Sequence, residues 1–234
     1  MTEKIREILL ASGFGISETE CDAFCRYAEF LVSENEKYNL TALTGAEDIA
    51  EKHFLDSLLS LKHGFEPPEG ASVIDVGSGA GLPGIPLKIV RRDLKLTVLD
   101  ATEKKVRFMS EAARIAGFEV NAVAARAEEA AARPPMREGF DCAVSRGVAA
   151  LNVLCELCLP FVKVGGVFVA YKGRSAREEL AAAENAVKTL GGEAERVEMT
   201  KLGDAERGLI FIRKVRPTPE QYPRSFGKIK KKPL

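Results

Sequence analysis

A strand-like stretch followed by a glycine-rich turn constrains the fold of this chain more than any other feature. Val73-Ile-Asp-Val76 suits a buried strand, four glycines follow it, and Ile85–Val90 has the pattern of the first turns of a helix. Such a strand, turn and helix N-terminus form a pocket of backbone N–H groups, and glycine lets a ligand lie against the backbone because it has no Cβ. The stretch therefore predicts an α/β protein with a ligand pocket at Gly77, Gly79, Gly81 and Gly84.

The spacing of these glycines favours one class of ligand over another. Gly77, Gly79 and Gly81 read G-x-G-x-G, whereas the dinucleotide fingerprint is G-x-G-x-x-G. Asp75, two residues before the first glycine, would repel a pyrophosphate but suits a ligand that brings a cation near the turn. S-adenosylmethionine carries an ammonium and a sulfonium group, so the turn favours a methyltransferase over a dehydrogenase. On this motif alone, a glycine-rich turn without any ligand stays open.

The bulk properties describe a chain of 234 residues with 46% hydrophobic residues and a formal net charge of zero. This suits one large domain, or one domain with an appendage. No apolar run approaches the roughly 20 residues that a membrane-spanning helix needs. The chain opens without an apolar signal segment, so we expect a cytoplasmic protein. Zero net charge argues against nucleic-acid affinity over the whole surface, although basic residues without an acid gather from Arg224 onward.

The cysteines and histidines indicate neither a disulfide framework nor a metal site. Five cysteines are an odd number, which does not suit disulfide pairing. Cys155 and Cys158 form C-x-x-C within an apolar, helix-like stretch, and Cys21 and Cys25 lie one helical turn apart. We interpret all four as small buried hydrophobes. Two histidines add too few ligands for a zinc site, and we expect no bound metal.

The order of predicted elements divides the chain into three parts. Apolar residues at helical spacing, with a capping box of Ser17 and Glu20, predict a helical cap over residues 1–66. Strands and helices alternate over residues 67–216, which predicts a mostly parallel sheet with helices on both faces. Residues 217–234, rich in proline and lysine, are expected to form an extended and mobile tail. The strands are predicted at 73–76, 94–100, 120–125, 140–145 and 165–172, followed by an antiparallel pair at 195–202 and 208–215.

Residues that directly follow the strands are candidates for the site, because ligands of such sheets bind beyond the carboxyl ends of the strands. Asp100 ends the second strand and can accept hydrogen bonds from both ribose hydroxyls of an adenosine, although it can equally cap the next helix. Glu128 follows the third strand, and its carboxylate can accept from an adenine amino group. It can also be an ordinary acid in the first turn of a helix, so both interpretations stay open.

Basic residues after the later strands are candidates for substrate binding or catalysis. Arg146 follows the fourth strand and Lys172 ends the fifth, and each can meet a substrate phosphate, hold the site together or pair with a neighbouring acid. Arg107, on the helix after the second strand, can face a nucleic acid or simply be solvated. His53 and Asp56 lie one helical turn apart, which indicates either an acid–base pair or, more often, a structural link between cap and sheet.

Together these residues resemble the bacterial family of small-subunit ribosomal RNA methyltransferase G, also called glucose-inhibited division protein B. The resemblance covers essentially the full length, and the run Gly81-Leu-Pro-Gly-Ile-Pro86 is specific to this family among methyltransferases. The chain has no tryptophan before Tyr38, and Gly147 stands where alanine is common. The other matching stretches are Tyr38-Asn-Leu-Thr41, His53-Phe-Leu-Asp56-Ser57, Ile74-Asp-Val-Gly77, Leu99-Asp100, Lys105-Val-Arg-Phe108, Arg126-Ala-Glu-Glu129, Ser145-Arg146 and Lys172-Gly173.

The resemblance implies a class I S-adenosylmethionine-dependent methyltransferase with a Rossmann-like, mostly parallel seven-stranded sheet and an N-terminal helical cap. It implies methylation of N7 of one guanine in 16S rRNA, with S-adenosylmethionine as the methyl donor. We assign catalytic roles to Arg146 and Lys172, and RNA contacts to Arg107, Arg126, Lys172 and the tail lysines. With the glycine turn, the implied cofactor contacts are Asp75, Gly77, Gly79, Gly81, Leu82, Asp100, Ala101, Thr102, Ala127, Glu128 and Arg146.

The implied reaction needs few catalytic groups. N7 of guanine carries a lone pair and no proton, so no general base is required, and positioning alone is worth roughly 7–11 kcal/mol at best. A-form RNA hides N7 in its major groove, so the target guanine must lie in a loop or be turned out of its stack. We expect a monomer that acts on 16S rRNA or the small subunit. Three alternatives stay open: a methyltransferase for a protein or small molecule, an NAD(P)-linked reductase and a non-catalytic ribosome-binding module.

Overall fold

A seven-stranded sheet forms the centre of the molecule in the computed structural model, which describes residues 1–234. The strands are β1 Ser72–Val76, β2 Lys95–Asp100, β3 Asn121–Ala124, β4 Phe140–Arg146, β5 Val162–Lys172, β6 Gly192–Leu202 and β7 Ala205–Lys214. Their order in the sheet is β3-β2-β1-β4-β5-β7-β6. The first five strands pair in parallel, whereas β7 is antiparallel to both β5 and β6. This confirms the predicted mostly parallel sheet with its antiparallel closing pair.

The helices precede the sheet as a cap and then connect its strands. A π-helical stretch, Ile49–Leu55, joins α3 to α4, and the 3-10 turn Leu159–Phe161 follows α8. The capping box is confirmed, because Ser17 and Glu20 exchange hydrogen bonds at the start of α2. None of the helices combines the length and the apolar composition that a membrane crossing requires. The helices are α1 Thr2–Ala11, α2 Glu18–Tyr38, α3 Ala46–Asp48, α4 Asp56–Lys62, α5 Gly84–Val90, α6 Glu103–Ile115, α7 Ala127–Ala130, α8 Leu151–Cys158, α9 Ala176–Ala182, α10 Glu184–Thr189 and α11 Phe226–Lys231.

Side chains of the sheet alternate between two hydrophobic cores, as the two-residue period of a strand requires. Val73 of β1 lies in one core together with Phe24 of α2 and Leu58 of α4. Its neighbour Ile74 lies in the other core with Leu154 of α8. The helical cap therefore has no separate core: it shares one with a face of the sheet, and this fixes its position relative to the strand ends.

Residues 217–234 differ from the extended tail that their prolines and lysines predict. Phe226–Lys231 form a helix, and Ile229 is fully buried in the core that contains α8. Tyr222 and Leu234 pack against the same core. The prediction of an extended tail is wrong for Phe226–Lys231, because apolar residues spaced between the lysines give this stretch a face to bury, and the predicted mobility of the tail stays a prediction.

Candidate active site

The glycine-rich turn connects β1 to α5 at the carboxyl edge of the sheet. The N–H groups of Gly77 and Ser78 donate to the carbonyl of Leu99 at 2.8 and 3.0 Å, which holds the turn against β2. Gly77, Gly79 and Gly81 have φ angles of 71°, 61° and 89°. Residues with a side chain rarely adopt this left-handed region, so the three glycines give the turn its shape.

Asp75 of β1 lies beneath the turn rather than on its surface. It is fully buried, and its Oδ2 accepts hydrogen bonds from the Ser78 hydroxyl at 2.5 Å and the Gly84 N–H at 2.8 Å. Burial raises the pKa of this carboxyl to about 6, and its Oδ1 has no hydrogen-bond partner. Asp75 therefore supports the turn from below and leaves a negative charge there at neutral pH, and its contact with a cofactor stays a prediction.

Gly81 and Leu82 face the cap. Leu82 is 7% exposed and belongs to the core that cap and sheet share. A Cβ on Gly81 would come within 3.2 Å of the hydroxyl of Tyr27 in α2, and that hydroxyl donates to the carbonyl of Ala80. These contacts lock the turn to the cap. Neither Gly81 nor Leu82 lines the cleft described next, so their contact with a cofactor stays a prediction.

A cleft of about 320 Å³, here called the cofactor cleft, opens at the carboxyl ends of β1, β2 and β3. It gathers five predicted cofactor residues and the predicted RNA contact Arg126. These residues follow three neighbouring strands, and ligands of such sheets are expected to bind beyond the carboxyl ends of the strands. The five are Gly77, Asp100, Ala101, Ala127 and Glu128; the lining residues that the sequence reasoning missed include Val148, Leu157 and Phe226.

Asp100 is held in place at the end of β2 by two backbone groups. Its Oδ2 accepts from the Gly79 N–H at 3.2 Å, and its Oδ1 accepts from the Thr102 N–H at 2.8 Å. Lys105 lies 4.0 Å from Oδ2. Each carboxylate oxygen can accept two hydrogen bonds, so both keep capacity for ribose hydroxyls. Thr102 precedes α6 but makes no side-chain cap hydrogen bond.

Glu128 differs from an ordinary acid at a helix start. It is only 9% exposed, whereas the adjacent Glu129 is exposed. A solvated first-turn acid has no reason to be buried, so this burial beside the cleft favours a binding role for its carboxylate. Arg126, one position before α7, is exposed at the outer edge of the same cleft.

A second pocket, of about 360 Å³, adjoins the cofactor cleft, and Gly147 lines both. It brings together the two predicted catalytic residues at the ends of β4 and β5. We call it the arginine pocket, and its charged residues are Asp56, Arg146, Lys172, Glu179 and Arg207.

Asp56 joins the two arginines of this pocket. Its Oδ2 accepts from Nη1 of Arg146 at 2.6 Å, and its Oδ1 accepts from Nε of Arg207 at 2.6 Å. The side chains of Asp56, Arg146 and Arg207 are 8%, 16% and 25% exposed. Because Asp56 belongs to the cap, this confirms the structural link between cap and sheet that the sequence left open.

Arg207 is a site residue that the sequence reasoning missed. It lies on β7, and the neighbouring Gly208 pairs with Lys172 of β5. Strand register was the signal that would have located it, because pairing β7 against the end of β5 brings Arg207 to the same edge of the sheet.

Lys172 is restrained by an acid of the following helix. Its Nζ lies 2.7 Å from Oε2 of Glu179 and donates to the carbonyl of Ala149 at 2.6 Å. Its side chain is 9% exposed. Pairing with a neighbouring acid, one of the open alternatives, is therefore realised, and a contact between Lys172 and RNA stays a prediction.

His53 does not form an acid–base pair with Asp56. Its Nε2 lies 2.8 Å from the hydroxyl of Thr41. Burial, together with the positive charge of Arg146, lowers the pKa of His53 to about 4, so the ring is neutral at physiological pH. The acid–base interpretation of this pair is wrong, since His53 bonds to Thr41 while Asp56 accepts from Arg146 and Arg207 instead.

The remaining predicted residues lie outside both pockets. Arg107 is exposed on α6 and pairs with Glu103 at 2.6 Å, so its contact with RNA stays a prediction. The cysteines are free and buried, as interpreted for Cys21, Cys25, Cys155 and Cys158. Burial raises the pKa of the Cys155 thiol to about 12.

The cofactor cleft fits S-adenosylmethionine on three counts. The turn presents backbone without side chains, and a Cβ on Gly77 would come within 2.5 Å of Val148 across the cleft. Asp75 holds a negative charge below the turn with one acceptor oxygen unmatched, which suits a cationic donor. Asp100 and Glu128 add two carboxylates to the lining of the cleft, and carboxylates accept hydrogen bonds from hydroxyl and amino groups.

The sheet order, the antiparallel seventh strand and this cleft define a class I S-adenosylmethionine-dependent methyltransferase. The solved structure of a SAM-dependent methyltransferase from Aquifex aeolicus shares the fold, with a TM-score of 0.53 at 19% identity. That match covers 77% of this chain and 97% of the other. The predicted fold class is confirmed.

The family follows from the sequence comparisons. The model of the rRNA small subunit methyltransferase G family matches residues 20–210. The ribosomal RNA small subunit methyltransferase G of Alkaliphilus metalliredigens is 46% identical over 95% of this chain and 94% of its own length. The protein of the same name from Pelotomaculum thermopropionicum is 44% identical over 100% and 99%. The chain belongs to the rRNA small subunit methyltransferase G family, which confirms the resemblance.

Proposed function

We propose that the protein methylates N7 of a guanine in 16S rRNA of the small ribosomal subunit, with S-adenosylmethionine as the methyl donor. Its family and relatives bear the name ribosomal RNA small subunit methyltransferase G. One observation carries the proposal: the cofactor cleft and the arginine pocket adjoin at Gly147. A donor in the first and a base in the second would be neighbours, and such positioning is the main requirement of a methyl transfer.

On the donor side, S-adenosylmethionine would supply a methyl group activated by a positively charged sulfur. Asp100 would accept hydrogen bonds from the ribose hydroxyls, and Glu128 would accept from the adenine amino group. Asp75 would stabilise the cationic end of the donor through its charge from beneath the turn. The Gly77 backbone would let the donor approach closely because no Cβ stands in the way.

On the acceptor side, Arg146, Arg207 and Lys172 would bind the target nucleotide. Arginine and lysine side chains donate well to guanine O6 and to phosphate oxygens. N7 must stay free for the methyl group, so these donors would act on O6 and on phosphates and thereby orient the base. A carboxylate oxygen of Asp56 or Glu179 lies within 2.7 Å of a nitrogen of each of these three side chains. These ion pairs would keep the donors positioned before the substrate binds.

The chemistry of the side chains supports a transfer without a general base. The lone pair of N7 needs no deprotonation, and His53 is turned toward Thr41 rather than toward a substrate. None of the cysteines lines the arginine pocket. Alignment by the three cations would therefore contribute most of the rate enhancement.

A ribosomal RNA substrate implies that the protein works in the cytoplasm, where small subunits are assembled. We also propose that the protein acts as a monomer. Sedimentation of the active enzyme would test this; activity that depends on a dimer would contradict it.

The proposed function is tested by transfer of a labelled methyl group from S-adenosylmethionine to small subunits, or to 16S rRNA, that lack the modification. Mass spectrometry then identifies the modified nucleotide and atom. Asp100→Ala is expected to abolish transfer, because the ribose loses its acceptor. Glu119→Ala is the matched control, since Glu119 is an exposed acid that lines neither pocket.

The outcomes separate the alternatives. Label at N7 of one guanine, lost in Asp100→Ala and kept in Glu119→Ala, supports the proposal. Label found only in a protein or small molecule rejects the RNA substrate. Binding of a nicotinamide dinucleotide in place of S-adenosylmethionine rejects the donor, and full activity of Asp100→Ala rejects the cofactor cleft.

A further inference from the structure

The C-terminal segment is anchored to α8 by a buried ion pair. Glu156 of α8 is fully buried, and its Oε2 accepts from Nη2 of Arg224 at 2.6 Å. Its Oε1 accepts from Nε of Arg224 at 2.9 Å and from the backbone N–H of Arg224 at 2.8 Å. A buried carboxylate matched by three donors fixes the direction in which the chain leaves Arg224.

Apolar packing holds the helix that follows. Ile229 is fully buried, and Tyr222 and Leu234 pack against the same core on either side of it. Arg224 also donates through Nη1 to the carbonyl of Lys232 at 3.1 Å, which ties the two ends of the helix together. The segment therefore has a defined position rather than a loose one.

This position brings an aromatic ring to the cofactor cleft. Phe226, the first residue of α11, is 37% exposed, although most large apolar residues of the protein are buried. It lines the cleft together with Leu157, Ala127 and Val148. These apolar side chains stand next to Glu128, the residue whose carboxylate suits an adenine amino group. A flat apolar ligand would cover the exposed ring.

We propose that the C-terminal segment is the outer wall of the cofactor cleft, and that Phe226 packs against the adenine of S-adenosylmethionine. The inference rests on the proposed placement of the donor in this cleft. Every nucleobase has a π-face, and packing of a base on an aromatic side chain favours binding. The anchor at Glu156 keeps the ring in place before the ligand arrives, so little entropy is lost on binding.

The first test compares binding of S-adenosylhomocysteine, measured by calorimetry on the full chain. Phe226→Ala is expected to weaken binding about tenfold, the effect of losing one base–aromatic contact. Phe226→Tyr is expected to bind within about twofold of the wild type, because the ring is kept. Thermal unfolding of both variants shows whether the fold is intact. Unchanged binding by a folded Phe226→Ala would overturn the inference.

The second test uses the absence of tryptophan from the chain. Phe226→Trp introduces a single tryptophan beside the cleft, and its fluorescence is expected to change when S-adenosylhomocysteine is added. Val164→Trp is the control, since Val164 is 52% exposed on β5 and does not line the cleft. A saturable response in Phe226→Trp alone supports the inference. No response in Phe226→Trp, in a protein that binds the ligand by calorimetry, refutes it.

Asp100→Ala distinguishes failure of this inference from failure of the proposed function. If Asp100→Ala loses S-adenosylhomocysteine binding and Phe226→Ala does not, the donor lies in the cleft. Only the claim that Phe226 packs against its adenine is then rejected. If Asp100→Ala binds normally, the placement of the donor is rejected, and the inference is rejected with it.

Discussion

The carboxylate of Asp56 lies 2.6 Å from the guanidinium of Arg146, so a residue of the helical cap fixes an arginine at the end of β4. The same carboxylate holds Arg207 of β7. The cap therefore does more than cover one face of the sheet: it sets the orientation of two cations in the arginine pocket.

Replacing Asp56 is the direct test of this arrangement. Asp56→Ala leaves two largely buried arginines without their counter-charge, and we expect the free energy of unfolding to fall by about 2–4 kcal/mol. Methyl transfer is expected to fall further at temperatures where the variant is folded, because the arginines lose their orientation. Urea unfolding and initial rates measure the two effects. Asp48→Ala is the matched control: its pair with Lys52 in the same cap is exposed, so about 1 kcal/mol or less is expected.

The charge beneath the glycine turn is tested by Asp75→Asn. The amide keeps the size of the side chain and an acceptor for the Ser78 and Gly84 donors, but removes the negative charge. We expect S-adenosylmethionine, with its sulfonium, to lose more affinity than S-adenosylhomocysteine, which lacks that charge. Calorimetric titration with both ligands measures the difference. An equal loss for the two ligands would mean that Asp75 acts only through the shape of the turn.

The pH dependence of stability is tested at His53. The pKa of His53 is about 4 in the native protein, compared with an ordinary value of 6.5. Between these values the unfolded state binds more protons, so this group makes the protein less stable as the pH falls from about 6.5 to 4. We expect His53→Gln to remove this decrease in the free energy of unfolding, which amounts to at most about 3 kcal/mol near pH 4. Denaturant unfolding of the wild type and of His53→Gln at pH 7.5 and 4.5 measures the change in the free energy of unfolding. An equal decrease in both proteins would contradict the lowered pKa of His53.

The lysines of the C-terminal helix are tested by salt dependence. Lys228, Lys230 and Lys231 are exposed on α11. If they contact phosphates, replacing all three with alanine is expected to weaken RNA binding and to reduce the slope of log affinity against log salt by about 2–3. Filter binding from low to high salt measures the slope. Lys95→Ala is the control: Lys95 is exposed at the amino end of β2, so the slope is expected to stay unchanged. Binding of S-adenosylhomocysteine is expected to stay the same in both variants.

Local patterns in the sequence predict most of the scaffold. The alternation of apolar strands and helices locates all seven strands to within a few residues, because each strand is bounded by turn residues and most are buried on both faces. The capping box at Ser17 is equally local, since it needs only two residues three positions apart. Gly77, Asp100 and Glu128 each follow a strand of the parallel sheet, so the sequence also predicts that they lie together at the carboxyl ends of the strands.

Contacts between distant segments could not be predicted in the same way. Nothing near Arg207 in the sequence indicates that it shares Asp56 with Arg146, since that contact depends on strand register and on the docking of the cap. Phe226 lies in a segment whose many prolines and lysines predict an extended tail, so its few apolar residues do not indicate from the sequence that the segment packs on the core.

The contact between Asp56 and Arg207 joins residues 151 positions apart. During synthesis, the arginine pocket therefore stays incomplete until the final hairpin has left the exit tunnel and joined the sheet beside β5. Long-range closures of this kind slow folding. A chain that ended before β7 would lack Arg207, Gly208 and Leu209, so the second arginine held by Asp56 would be missing from the pocket.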